Sequence, residues 1–206
     1  MDMPDKELVF VFDMAGVLVD WNQQALFGPL FDQSGKDQED FFENIFGDEV
    51  QTAISAGQPM KKLISDLVKK FPTWSSEINA YWERWDEMLI GAIDGTVSVI
   101  GELHERGHRV YVLGNWGREE FERARPRFGF LETVDDILLS GDCGILKPDP
   151  QIFGLAEQRF NLIPENTIFI DDKSENVQIA ISRGWNGIVF QNPRQLYLVL
   201  MDYGIL

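Results

Sequence analysis

Leu8-Val-Phe-Val-Phe12 runs without a polar residue into Asp13-Met-Ala-Gly-Val17. A continuous apolar run, as opposed to an alternating one, predicts a strand buried on both faces of a parallel sheet. Four later runs read the same way: Val110–Leu113, Ile137–Leu139, Ile168–Ile170 and Gly187–Phe190. Helical patterns separate them. Val97, Ile100 and Leu103 share one face of a helix that Gly107 closes. Glu119 and Glu120 sit where a first helical turn favours acids, and Asp149-Pro150 is an N-cap and first-turn pair for a helix reaching Phe160. Strand–helix alternation of this kind predicts an α/β fold with a doubly wound parallel sheet.

The alternation breaks from about Trp21 to Ile90. Met60, Leu63, Ile64, Leu67, Val68 and Phe71 keep helical spacing, as do Ile78, Tyr81, Trp82, Trp85 and Leu89. Phe41, Phe42, Ile45 and Phe46 begin another helix, interrupted at Gly47-Asp48. This stretch shows no strand pattern and reads as a helical bundle inserted after the first strand. Asp94-Gly95 reads as the turn back into the sheet. The aromatic stripes read as the packed interior of the bundle, not as a cofactor box.

The 206 residues suit one α/β domain with a smaller insertion, enough to bury roughly 70% of the unfolded surface. No apolar run approaches the about 20 residues of a membrane-spanning helix. The Met1–Asp5 segment is acidic where a secretory signal is basic. A lone Cys143 fits a reducing compartment, so a cytoplasmic location is expected. With 18 Lys+Arg against 34 Asp+Glu, the net charge of −16 disfavours nucleic acid and anionic membrane as partners. A small anionic substrate stays open, because a metal ion and a few cations reverse the field locally.

Ligands of open α/β sheets sit at the carboxyl ends of the strands. There the chain carries Asp13, then Gly114-Asn115-Trp116, then Lys147-Pro148-Asp149, then Asp171-Asp172-Lys-Ser-Glu-Asn176. One such carboxylate is a weak signal, since turns use Asp freely. Several carboxylates with an Asn and a Lys at one edge are a strong one. Carboxylates so gathered need a cation, and hard oxygen donors point to Mg²⁺ and a phosphorylated small molecule.

The order Asp13-x-x-Gly16-Val17, Asn115 past a strand, Lys147-Pro148 and Asp171-Asp172 resembles the haloacid dehalogenase-like hydrolase superfamily. The helical insertion resembles its subgroup with a small α-helical cap. The resemblance implies a three-layer Rossmann-like core of sheet order 3-2-1-4-5, made of residues 1–18 and 93–206, with residues 19–92 as cap. It implies an active site between the two. By position, Asp13 becomes the nucleophile that forms an aspartyl intermediate. Asp13, Asp171, Asp172 and the Ala15 carbonyl become the Mg²⁺ ligands, with Asn176 behind them. Lys173 belongs to that outer layer or is a solvated helix-start residue. Lys147 neutralises charge, and Asn115 donates to a substrate oxygen beside the Gly114 N–H. Trp21, with Asn22, and Trp116 stand where a substrate pocket would be shaped.

Two positions depart from the pattern. Ala15 stands where most phosphatases of the superfamily carry a second Asp as general acid and base, a loss of about 10²–10⁴ in rate. Gly114 stands where Ser or Thr is usual. A slow or narrow phosphatase is therefore the leading expectation, and a non-hydrolytic binding or regulatory protein the alternative. Dehalogenase-like chemistry is disfavoured because no Arg precedes Arg84 to cradle a halide. Phosphonoacetaldehyde hydrolases also have Ala at this position and use a cap lysine. Lys61 and Lys62 are conceivable for that role, but they flank an apolar helix face as ordinary solvated residues do. His104, His108 and Cys143 read as bystanders.

Overall fold

The computed structural model describes residues 7–206, so the acidic Met1–Asp5 segment lies outside the described residues. The chain begins with β1 (Val9–Phe12) and β2 (Val19–Trp21), then five helices: α1 (Gln24–Ser34), α2 (Gln38–Asn44), α3 (Asp48–Ser55), α4 (Met60–Lys70) and α5 (Ser75–Glu83). Next come β3 (Leu89–Ala92), α6 (Asp94–Glu105), β4 (Arg109–Gly114), α7 (Arg118–Ala124), β5 (Asp136–Leu139) and the single turn α8 (Ser140–Cys143). The last elements are α9 (Pro150–Phe160), β6 (Thr167–Asp171), α10 (Ser174–Ser182), β7 (Asn186–Val189) and α11 (Pro193–Asp202).

Five strands form one parallel sheet in the order β5-β4-β1-β6-β7. Counting only the strands of this sheet, the order is the expected 3-2-1-4-5. The continuous apolar run of β1 is buried on both faces. Leu8, Phe10 and Phe12 join one hydrophobic cluster, while Val9 and Val11 join another with Phe153, Phe169 and Trp185. The result is a three-layer α/β fold. Register decides where the chemistry lands: Phe12 sits opposite Val112 of β4 and Ile170 of β6. The residues after those positions therefore emerge together at one sheet edge. Asp149 caps α9 by accepting a hydrogen bond from the Gln151 N–H, as its place before Pro150 predicts.

The first cluster continues from the sheet into the helices between β2 and β3. Phe27 packs against Phe31, Phe41 and Phe42, and Phe46 meets Tyr81 at a centroid distance of 4.4 Å. The aromatic stripes are thus interior. Among the described residues, no helix is long and apolar enough to cross a membrane.

Two expectations need correction. The stretch from Trp21 to Ile90 is not free of strand. Val19–Trp21 pairs antiparallel with Leu89–Ala92, Val19 opposite Ala92 and Trp21 opposite Leu89, with a register shift between Asp20 and Trp21. Strands of three and four residues interrupted by a shift are too short to print an alternating pattern. Asp94-Gly95 is not a turn but the start of α6. Gly95 is explained by packing, since a Cβ there would stand 2.6 Å from the Pro193 Cβ of α11.

Phe41 has no solvent exposure and touches four other phenylalanines. Phe41→Ala is expected to lower unfolding free energy by about 3–5 kcal/mol, read by urea denaturation. A loss below about 1 kcal/mol would mean that the helices pack without this centre.

Candidate active site

The site is built on the ends of β1 and β6. The Asp13 N–H donates to the Ile170 carbonyl at 2.8 Å, which extends the ladder and fixes the first carboxylate just past the strand. Lys147 reaches in from the loop after α8. Its Nζ donates to Asp13 Oδ1 at 2.6 Å and to Asp171 Oδ2 at 2.7 Å, and its side chain is 1% exposed. Asp171 has no exposure and also accepts from the Lys173 N–H and from Asn176 Nδ2. Burial pushes the Asp13 carboxyl above the usual carboxylate range, opposed by Lys147 and reinforced by Asp171. Burial alone would lower the Lys147 ammonium, but the two carboxylates outweigh it and raise it. Lys147 is a permanent cation here.

Asp13, Asp171 and Asp172 each bring an oxygen within 4.8 Å of the others. Asp172 is exposed, and burial, then Asp171, raises its carboxyl. One lysine against three carboxylates leaves surplus negative charge, and the donors are all hard oxygens, which fits a small divalent cation. Gly16 makes room for this arrangement. It sits at φ +86°, and a Cβ there would lie 2.9 Å from Asp172 Oδ2. Ala15 lies beside Gly16 and lines the adjoining cavity.

Asn115 does more than face that cavity. Its Oδ1 accepts from the Lys147 N–H and its Nδ2 donates to the Lys147 carbonyl, both at 2.8 Å. The amide expected to serve substrate thus also clamps the loop that delivers the lysine. Gly114 is buried at the end of β4, and a Cβ there would stand 3.2 Å from the Met14 Cβ. The missing hydroxyl therefore goes with the fully buried Met14 beside it.

A cavity of about 520 Å³ opens next to these residues. Ala15, Asn115, Trp116 and Lys173 line it from the sheet side, Trp21 from β2, and α3, Tyr81 and Trp85 from the helices. Sequence reasoning placed Trp21 and Trp116 here but missed Glu120. That residue occupies the first turn of α7, as read, yet it is 4% exposed and its Oε1 has no hydrogen-bond partner. Burial pushes its carboxyl from an ordinary 4.5 up to about 7. An acid at a helix start looks alike in sequence whether it faces solvent or a cavity.

The bystanders stay apart from this cavity. His104 lies 3.4 Å from Asp135, and His108 packs against Phe10. The Cys143 thiol faces main-chain carbonyls. Lys62 pairs with Asp66 on the exposed side of α4, and Lys61 lines a different groove with Trp82.

The model of the haloacid dehalogenase-like hydrolases matches residues 8–183. The chain belongs to this family. It is 27% identical over 179 residues to a sesquiterpene phosphatase of Aspergillus oryzae, covering 86% of this chain and 87% of that protein. It is 24% identical over 186 residues to a D-ribitol-5-phosphate phosphatase of Bacteroides thetaiotaomicron, covering 85% and 87%. A shorter match, 46% identical over 50 residues, spans 24% of this chain and only 5% of acyl-CoA dehydrogenase family member 10 of Mus musculus. The fold superposes with TM-score 0.71 on a family enzyme of Bacteroides thetaiotaomicron in complex with magnesium and inorganic phosphate. That structure is 19% identical, with 91% of this chain and 96% of that one covered.

The raised Glu120 carboxyl has a consequence for stability. Below about 4.5 the group is protonated folded and unfolded, so it adds no penalty; between about 4.5 and 7 the unfolded chain ionises it while the folded state keeps it protonated, so stability falls across that window and stays at the lower level above it. Glu120→Gln should therefore stabilise the ligand-free protein by about 3 kcal/mol at pH 8 and by less than about 1 kcal/mol at pH 5. Urea unfolding at the two pH values reads this, and equal gains at both would contradict it.

Proposed function

We propose that this hydrolase is a Mg²⁺-dependent phosphatase of a small phosphorylated metabolite, working through an aspartyl phosphate on Asp13. The observation that carries the reading is Lys147 Nζ bridging Asp13 and Asp171, with Asp172 within reach of a shared cation, next to a cavity lined by the neighbouring Ala15, Asn115 and Lys173. The phosphatases and the magnesium–phosphate complex among the relatives agree with it.

In this reading Asp13 attacks phosphorus with the carboxylate oxygen that Lys147 leaves free. The new bond joins the Asp13 oxygen to phosphorus, and the bond from phosphorus to the ester oxygen breaks. Water then attacks the aspartyl phosphate and returns the carboxylate with inorganic phosphate. Lys147 holds Asp13 in place and offsets the charge on the transferring group. Asp13, Asp171, Asp172 and the Ala15 carbonyl would hold Mg²⁺, which would supply Lewis-acid stabilisation of the same charge. Asn176 orients Asp171 through its Nδ2. Gly114 and Asn115 offer N–H donors to phosphoryl oxygens. With Ala15 in place of an acid, the departing alkoxide takes its proton from water, which makes the turnover slow.

Residues 19–92 act as a cap over a core of residues 1–18 and 93–206, excluding bulk water and choosing the substrate through Trp21 and Trp116. The partner is a small molecule in the cytoplasm, in keeping with a net charge of −16 and a single Cys. Ala15 and Gly114 also favour a second reading, a metal-binding regulatory protein on this fold. Retention of three buried charges, Asp13, Lys147 and Asp171, with Asp172 beside them speaks for the enzyme, because each buried one is destabilising without the others.

A panel of sugar, nucleotide and small organic phosphates with Mg²⁺ should show slow hydrolysis by the parent, read as released phosphate. Asp13→Asn should abolish it, and Ala15→Asp should raise it by about 10²-fold or more. Undiminished activity in Asp13→Asn would overturn the aspartyl mechanism. Turnover by Ala15→Asp alone would favour the regulatory reading.

A further inference from the structure

The cavity is sorted by charge. Its sheet side carries Lys173 beside the Asp13–Lys147 centre, where a phosphoryl group would lie. Its other walls carry no cation. They include Trp21, Trp85, Tyr81 and the carboxylates of Glu120 and Asp48, beside other polar side chains of α3, and Trp116 of the sheet side packs against the two indoles. The three indoles pack on one another, with centroids 5.1, 5.8 and 6.4 Å apart. Glu120 is 4% exposed with Oε1 unpartnered, and its Oε2 crowds Gly117, as does the Ile54 carbonyl at the end of α3. A carboxylate with one oxygen buried and unpartnered beside aromatic residues is stabilised by protonation or by a guest that supplies positive charge. Aromatic faces and a buried carboxylate both attract the same kind of guest, an organic cation.

We propose that the cavity selects a phosphate monoester whose alcohol carries an ammonium group, with Glu120 and the three-indole wall holding the cation while the phosphate faces Asp13. The assignment rests on the phosphatase reading for the ester and on the cavity alone for the cation. The phosphate end and the cation end are then matched to the two ends of one short molecule. Tyr81, which lines the cavity with Asp48, is neutral at pH 7. Burial raises the Tyr81 phenol well above its usual range, and Glu120 raises it further.

The test pairs 2-(trimethylammonio)ethyl phosphate with its neutral isostere, 3,3-dimethylbutyl phosphate, and adds tetramethylammonium chloride as a ligand without phosphate. With Mg²⁺, KM should be at least tenfold lower for the cationic ester. Glu120→Gln, a variant expected to fold more stably, should remove that preference by raising KM for the cationic ester towards that of the neutral one. Tetramethylammonium should quench tryptophan fluorescence saturably in the parent and at least tenfold more weakly in Glu120→Gln. Equal KM values with no quenching would overturn the cation site and leave the phosphatase reading standing. Saturable quenching without hydrolysis of either ester would do the reverse. A fall in kcat alike on both esters in Glu120→Gln would make that residue a proton donor and refute its assignment here, as would preference for a polyol phosphate over both esters.

Discussion

A buried ammonium held between two buried carboxylates is the interaction on which the site rests. Removing Lys147 from water is unfavourable by several kcal/mol unless its partners are close and themselves fixed. The structure meets this from every side. Parallel register delivers Asp13 and Asp171 from neighbouring strands, Asn115 pins the lysine's own backbone, and Asn176 holds Asp171. None of these is separable from the sheet. A shift of one residue between β1 and β6 would part the two carboxylates and leave the lysine uncompensated. The catalytic arrangement and the strand order are thus one constraint.

Much of this was legible in the sequence for a physical reason. A strand buried on both faces must be apolar throughout, so the five sheet strands stand out, and chemistry at their ends follows from topology. The ribbon of β2 and β3 was not legible, because a few residues with a shifted register carry no period. Gly95 reads as a turn residue in sequence, yet its reason is Pro193, almost a hundred positions away. Glu120 shows the same limit most sharply. Acids belong in first helical turns whatever lies opposite, and only the tertiary fold closes the cavity over this one. Asn115 lies at the sheet edge where its place after a strand puts it, but its grip on the Lys147 main chain depends on a loop whose path no local signal gives.

Ala15 and Gly114 are departures of different kinds. Gly114 lies tight against Met14, so a Cβ there would press on that side chain at 3.2 Å. Ala15 answers to nothing so crowded; it is half-buried and opens on the cavity, so the missing carboxyl leaves room as well as removing a proton donor. The same cavity that lacks an acid at Ala15 holds one at Glu120. The carboxylate cluster of Asp13, Asp171 and Asp172 thus stands beside a cavity whose acid is Glu120.

The short ribbon of β2 and β3 carries every covalent link between the helices and the sheet domain. Trp21 is its last residue on the outgoing strand, and Trp21 is also part of the cavity wall. Any rocking of the helices about this ribbon therefore drags an indole away from Trp116, which belongs to the sheet side. Admission and recognition cannot be tuned separately in such a design. In the proposed reading of residues 19–92 as a cap, a looser ribbon would also open the aromatic enclosure, so speed and discrimination would depend on the same three residues, Val19 to Trp21.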